Sequence, residues 1–144
     1  MVETLLNQPL HCVVVTPERA LVDAMADFVA LPMYDGELGV LPGRAPLIGR
    51  LGYGELRIRH GQETRRFFVD GGFAQVRANT VTVLTSRALK AEEINTAEAE
   101  RALHETQPAA TPESQEVRYK AQERARAQLR VAHGGSSAHG NARH

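Results

Sequence analysis

From Lys90 to Ala132 the chain contains no glycine, and Ala, Glu, Arg and Gln dominate. These are strong helix formers. Up to about Arg87 the pattern is the reverse, with short apolar and β-branched runs cut by Gly, Pro and Asn. Strands spaced 8–12 residues apart with turn residues between them indicate an antiparallel sandwich or barrel. The chain is therefore expected to be α+β, with a β unit over 1–87 and a helical unit over 88–133. The Gly/Ser/His-rich stretch 134–144 reads as a disordered tail.

Within the β unit, Leu10 to Val15 is a β-branched run ended by Thr16-Pro17. Leu56-Arg57-Ile58-Arg59 alternates apolar and charged, so one face is buried and one is wet. His60-Gly61 then turns the chain and Thr64 to Val69 returns. Asp70-Gly71-Gly72 is expected to turn it again, followed by Phe73 to Val76, a turn at Ala78-Asn79, and the period-two segment Thr80 to Thr85. Roughly 85 residues close a small core of modest size.

Helix one is expected over Glu92 to Glu105, with Glu92 and Glu93 in its first turn beside the positive end of the dipole. It must end by Gln107, because Pro108 follows. Pro108 to Pro112 is a connector. Thr111 as N-cap with Pro112 in the first helical position starts helix two, and Gly134 is expected to stop it. Helix one carries five acids against one arginine and Arg118 to Arg130 carries five bases against Glu123, which favours an antiparallel hairpin. Val117, Ala121, Ala125, Leu129 and Ala132 form an apolar stripe made mostly of methyl groups. At about 0.8 kcal/mol per buried carbon, it contributes little. The hairpin reads as an element that docks, undocks or extends, or as a fixed solvated hairpin.

Basic and acidic residues balance at 17 each, and aromatics are 5% with no Trp. Nucleic-acid modules need a basic excess and stacking platforms, so no nucleic-acid partner is expected. A basic-helix adaptor on a small β-barrel, binding RNA or peptide, is the alternative reading. A single cysteine, Cys12, excludes an internal disulfide and reads as a small buried hydrophobe. There is no signal-peptide pattern at the N-terminus and no apolar run long enough to span a membrane. Gly49 to Gly54 lacks the spacing and the following helix of a phosphate loop. His11 and Cys12 point to opposite sheet faces and cannot cooperate. His133, His139 and His144 fall in the tail. No nucleophile, base and orienting acid come together, so no catalytic, cofactor or metal site is assigned.

The stretch Gly36-Glu37-Leu38-Gly39-Val40-Leu41-Pro42-Gly43-Arg44-Ala45-Pro46-Leu47 resembles the signature of the epsilon subunit of the F-type ATP synthase, the delta subunit in mitochondrial naming. Phe68 to Val76, Asn79 to Leu84 and Ala127 to Val131 are similar to further blocks of that family in the same order. The resemblance implies a flattened antiparallel β-sandwich followed by a two-helix hairpin. It implies a non-catalytic rotor subunit that couples proton flow to ATP synthesis, peripheral on the cytoplasmic face of the bacterial inner membrane. The implied partners are the gamma subunit and the membrane c-ring, met by Tyr34, Asp35, Glu37, Arg44 and Pro46. The catalytic beta subunit is met transiently by Tyr119, Arg126 and Arg130 when the helices brake hydrolysis. Arg44 replaces the usual histidine. Asn95 and Glu98 replace the Asp and Arg of a nucleotide-binding pattern, so ATP is not expected to bind.

Overall fold

A computed structural model describes residues 6–104 and 111–142, with side chains as far as Gly134. Eight strands form one sheet: β1 (Leu10–Val15), β2 (Ala20–Ala26), β3 (Phe28–Met33), β4 (Gly36–Val40), β5 (Leu47–His60), β6 (Glu63–Arg77), β7 (Thr80–Leu84) and β8 (Ala88–Lys90). The order is β2-β1-β7-β6-β5-β3-β4, with β8 beside β6. Pairing is antiparallel except between β1 and β7, which run parallel. The sheet reaches Lys90, three residues beyond the expected end of the β unit.

Two long strands make this sheet a sandwich. The first half of β5 and the second half of β6 lie in the layer with β7, β1 and β2, and their other halves lie with β3, β4 and β8. At the corner the buried phase changes. On β6 it passes from Phe67 and Val69 to Ala74 and Val76, and on β5 from Leu51 to Leu56 and Ile58. Side chains alternate strictly along a flat strand, so this phase change marks a bend. Gly71 (φ +70°) and Gly72 (φ +109°) supply it. Both conformations are open to glycine and strained for other residues. A Cβ on Gly72 would stand 1.9 Å from the Leu84 carbonyl oxygen. Asp70-Gly71-Gly72 is thus a bend inside one 15-residue strand and not the expected turn between two. The pair keeps its ladder to β5, with Leu51 opposite Gly72 and Tyr53 opposite Asp70.

The main core between the layers contains Leu10, Cys12, Val14, Val29, Leu31, Leu56, Phe67, Val69, Val81 and Val83. The tight turn into β7 has Ala78 and Asn79 both at positive φ, 48° and 64°. That is the twist a two-residue hairpin prefers. Asn79 is buried, and its side-chain oxygen accepts from the Gly43 N–H at 2.8 Å.

Beyond the sheet, a 3₁₀ turn (Ala91–Glu93) precedes α1 (Thr96–Leu103) and α2 (Pro112–Ala142). Helix one therefore starts later than expected. Ile94 is extended (φ −72°, ψ 129°), and the Asn95 side chain caps α1 by accepting from the Glu98 N–H at 3.0 Å. Glu93 turns back to the Lys90 N–H. Thr111 caps α2 as its sequence predicts, accepting from the Ser114 N–H at 3.0 Å. Residues 105–110, which hold the expected end of helix one and the first part of the expected connector Pro108 to Pro112, lie outside the described residues. Helix α2 does not stop at Gly134, which lacks the left-handed conformation that a terminal glycine cap requires. Gly134 instead gives room: a Cβ there would stand 3.3 Å from an Arg66 guanidinium nitrogen.

Candidate functional site

Helix α2 is docked on the outside of one sandwich layer, with α1 packed against α2, and its seat is a second core. Phe68, fully buried, packs with Ile94, Ala127 and Val131, flanked by Tyr53, Leu89, Ala91 and Ala132. The residues of α2 that meet the sheet are Ala127 and Val131, one turn apart on a face next to the expected stripe. Of that stripe Ala125 is buried, whereas Val117 is 69% exposed. Methyl groups alone do not hold the hairpin, because two arginines add to the seat. Arg66 of β6 donates to the Val131 carbonyl at 2.5 Å and to Glu55 at 2.5 Å. Arg124 of α2 reaches back to Asp70 at 2.9 Å and lies over the Tyr53 ring at 5.1 Å. Further ion pairs run along α2 itself, Arg126 to Glu123 at 2.7 Å and Lys120 to Glu116 at 3.9 Å. The least exposed of these α2 ion pairs is Arg124–Asp70, the one made with the sandwich.

Tyr34, Asp35 and Glu37 sit around the β3–β4 turn and are exposed. The Arg50 guanidinium lies 4.5 Å from the centre of the Tyr34 ring. Glu37 is paired to Arg57 at 2.7 Å, and Arg57 also reaches Glu55 at 3.1 Å. Burial opposes the Arg57 charge, but hydrogen bonds to Glu55 and Glu37 and their charges outweigh it, so its pKa is raised. Arg44 and Pro46, also exposed, belong to the loop after β4. Five extended residues carry the chain about 16 Å, so the five expected interface residues form two groups at opposite ends of β4.

Between those groups lies a surface the sequence reading did not single out. Phe73 and Leu84 are direct cross-strand partners on the outer face of β6 and β7, and both are more than half exposed. Ile48, 73% exposed, stands on the same face of β5 opposite Gln75, and Arg50 stands opposite Phe73. Pro46 leads into Ile48, and Arg50 carries Tyr34. The two groups therefore flank one apolar patch. Contiguous exposed apolar side chains with a polar rim mark an interaction surface. Leu84 occupies the wet phase of the period-two strand Thr80 to Thr85, and that misplaced leucine was the available signal.

Tyr119, Arg126 and Arg130 lie on one exposed stripe of α2. Tyr119 and Arg130 line a cleft of about 890 Å³ between α2 and the sandwich corner, where Tyr34 and Tyr53 also sit. All three tyrosines of the chain meet there. The cleft mixes Arg50, Lys120, Arg124 and Arg130 with Asp70, Glu116 and Glu123, so it carries only a slight excess of positive charge.

Cys12 is buried, and desolvation pushes its thiol up to about 12, with the Arg65 charge opposing. It is a core residue. His11, on the other face, pairs with Asp23. Gly49 to Gly54 is part of β5 and not a loop. Among the described residues no group of three His, Cys, Asp or Glu is placed to hold a metal ion, and no helix is long and apolar enough to cross a membrane.

The sequence profile of the ATP synthase, Delta/Epsilon chain, beta-sandwich domain matches residues 9–91, from just before β1 to just after β8. The chain belongs to the ATP synthase delta/epsilon family. The ATP synthase epsilon chain of Rhodopirellula baltica is 54% identical over 125 residues, covering 85% of this chain and 98% of its own length. That of Pelotomaculum thermopropionicum is 47% identical over 89 residues, covering 62% of this chain and 66% of its own. Similar folds occur in the Tetrahymena thermophila mitochondrial ATP synthase central stalk and c-ring (TM-score 0.70, 17% identity, 87% of this chain and 97% of that one). Another is in the Euglena gracilis mitochondrial ATP synthase (TM-score 0.66, 21% identity, 86% and 83%). The shared epsilon-type architecture is the eight-stranded sandwich with two helices behind it.

Proposed function

We propose that this chain is a non-catalytic central-stalk subunit of an F-type ATP synthase that couples transmembrane proton flow to ATP synthesis. Its sandwich is the stalk- and ring-binding unit. Its hairpin is the regulatory unit, restraining ATP hydrolysis when it leaves its seat and meets the catalytic beta subunit through Tyr119, Arg126 and Arg130. The subunit is peripheral on the cytoplasmic face of the bacterial inner membrane and held there by the complex. The observation that carries the reading is the exposed Ile48–Phe73–Leu84 patch on a sandwich of this family, flanked by Tyr34, Asp35 and Glu37 on one side and by Arg44 and Pro46 on the other. The relatives are epsilon chains, and one similar fold comes from a structure of a central stalk with its c-ring, which supports central-stalk and c-ring partners, gamma being the stalk partner proposed here.

Two experiments test it. Phe73→Asp with Leu84→Asp, and separately Glu37→Lys with Arg44→Glu, are expected to abolish capture by gamma in a pull-down while leaving the β-sandwich folded, as judged by its circular dichroism signal. Wild-type capture by both variants would refute the interface. For the brake, ending the chain after Lys90 keeps β8 in place. It is expected to raise ATP hydrolysis by the assembled complex while synthesis stays coupled. Hydrolysis that is unaltered with and without membrane energisation would refute regulation by the helices.

A further inference from the structure

An unbroken line of charge contacts runs from the exposed β4 edge to α2. Glu37, at 52% side-chain exposure, takes Arg57 at 2.7 Å. Arg57 divides itself between Glu37 and the Oε1 atom of Glu55 at 3.1 Å. The Oε2 atom of Glu55 takes Arg66 at 2.5 Å. Arg66 in turn donates to the Val131 carbonyl of α2 at 2.5 Å. Four side chains on three strands thus join a surface carboxylate to the backbone of the docked helix.

The arrangement has a direction of response. Glu55 offers two oxygens, one to each arginine. If Glu37 is neutralised, or drawn off by a cation of a partner, Arg57 has only Glu55 left. It then competes for the carboxylate that orients Arg66. The Arg66 side chain is only 19% exposed. It cannot turn into water without cost, because an unpaired buried charge is unfavourable. Its hold on the Val131 carbonyl loosens instead. The docked hairpin is the two-state element that such a line needs in order to carry coupling. Linkage is reciprocal: once α2 has undocked, Arg66 need no longer be held toward Val131, Arg57 can settle on Glu55, and Glu37 is left more open to a partner cation.

We propose that Glu37, Arg57, Glu55 and Arg66 form a relay through which occupation of the β4 edge by a cationic partner group loosens the docking of α2. The identity of that group rests on the partner reading above. The relay itself is a property of the isolated chain, and that is where it is tested. Amide hydrogen exchange is followed in the full-length protein at 124–131 of α2, with β7 as internal reference. Glu37→Gln is expected to speed exchange in α2 roughly three- to tenfold, within the range of coupling along such networks, and to leave β7 unchanged. Arg66→Gln is expected to speed it at least as much. Adding Arg57→Gln to Glu37→Gln removes the competitor and is expected to restore near wild-type exchange. The relay is overturned if Glu37→Gln leaves α2 unchanged, if Arg66→Gln does so, or if the Glu37→Gln/Arg57→Gln protein stays as fast as Glu37→Gln alone. None of these results depends on gamma, so failure here is separable from failure of the pull-down.

Discussion

Replacing Phe68 with alanine removes the ring around which Ile94, Ala127 and Val131 pack. The side chain is fully buried. An aromatic ring buries about 150–250 Å², and about 25 cal/mol per Å² gives roughly 4–6 kcal/mol. Core Phe-to-Ala changes cost about 3–5 kcal/mol, so about 4 kcal/mol is the working figure. That cost falls on docking rather than on the sandwich, because Phe68 already faces water once the hairpin has left. Four kcal/mol is about a thousandfold in the ratio of docked to undocked molecules. Phe67, its neighbour, is 4% exposed but belongs to the main core, so its loss falls on the whole sheet. Amide exchange separates the two. Phe68→Ala is expected to speed exchange at 124–131 by up to about a thousandfold while β7 keeps its protection. Phe67→Ala is expected to speed both. Equal acceleration of β7 and α2 in the Phe68→Ala protein, or unaltered exchange in α2, would show that the two cores are not energetically separate.

Four further outcomes are expected. Gly72→Ala places a methyl group on the Leu84 carbonyl and forces a positive φ on alanine. It should lower stability by at least about 3 kcal/mol in chemical denaturation, and a loss below about 1 kcal/mol would contradict the bend. Burial pushes the Cys12 thiol up to about 12, well above the range of a free thiol. The folded state therefore retains its proton where the unfolded chain loses it: stability is unaffected below about pH 9 and falls by up to about 1.4 kcal/mol per pH unit above it. Cys12→Ser titrated in parallel should lack that slope, and a native thiol that reacts at pH 8 with a water-soluble disulfide reagent would contradict it. Asp70→Asn leaves Arg124 unpaired at a half-buried site. It should weaken hairpin docking by about 1–2 kcal/mol, seen as faster tryptic cleavage at Arg124 and Arg126, and wild-type cleavage rates would count against the contact. ATP titrated into the pure chain should show no saturable binding tighter than about 1 mM, since the Asn95 oxygen is engaged as a helix cap and Glu98 places an anion beside it; calorimetry decides.

β1, β6, β7 and the second half of β5 were legible because their faces alternate and their turns carry Gly, Pro or Asn, whereas β2, β3, β4, β8 and the first half of β5 were not singled out. The bend in β6 was not legible, since a Gly-Gly pair between two strand patterns reads equally as a hairpin turn. Only the carbonyl of Leu84, distant in sequence, decides between them. The seat of the hairpin was written in Phe67-Phe68-Val69, three consecutive apolar residues that are all buried. A strand apolar in both phases is covered on both faces. The expected stripe on α2 missed Ala127 and Val131 because alanines lie all around that helix, so periodicity alone could not choose the face. Gly134 carried the composition of a stop, yet Arg66 from another element uses its missing side chain. Of the proposed interface, the sequence offered Tyr34, Asp35, Glu37, Arg44 and Pro46 as one run, and folding set them at two ends of β4. Phe73 and Leu84 come together only through the β6–β7 register.

A sandwich whose layers merely touch can slip, one sheet shearing over the other across a greasy interface. In this fold β5 and β6, of 14 and 15 residues, turn the corner together and belong to both layers. A load applied at the Ile48–Phe73–Leu84 face is therefore carried into the layer that seats α2 along two covalent backbones cross-braced by their hydrogen-bond ladder. Such a piece is stiff in torsion despite its thin core. A push on one side arrives at the other as displacement and is not dissipated in side-chain rearrangement.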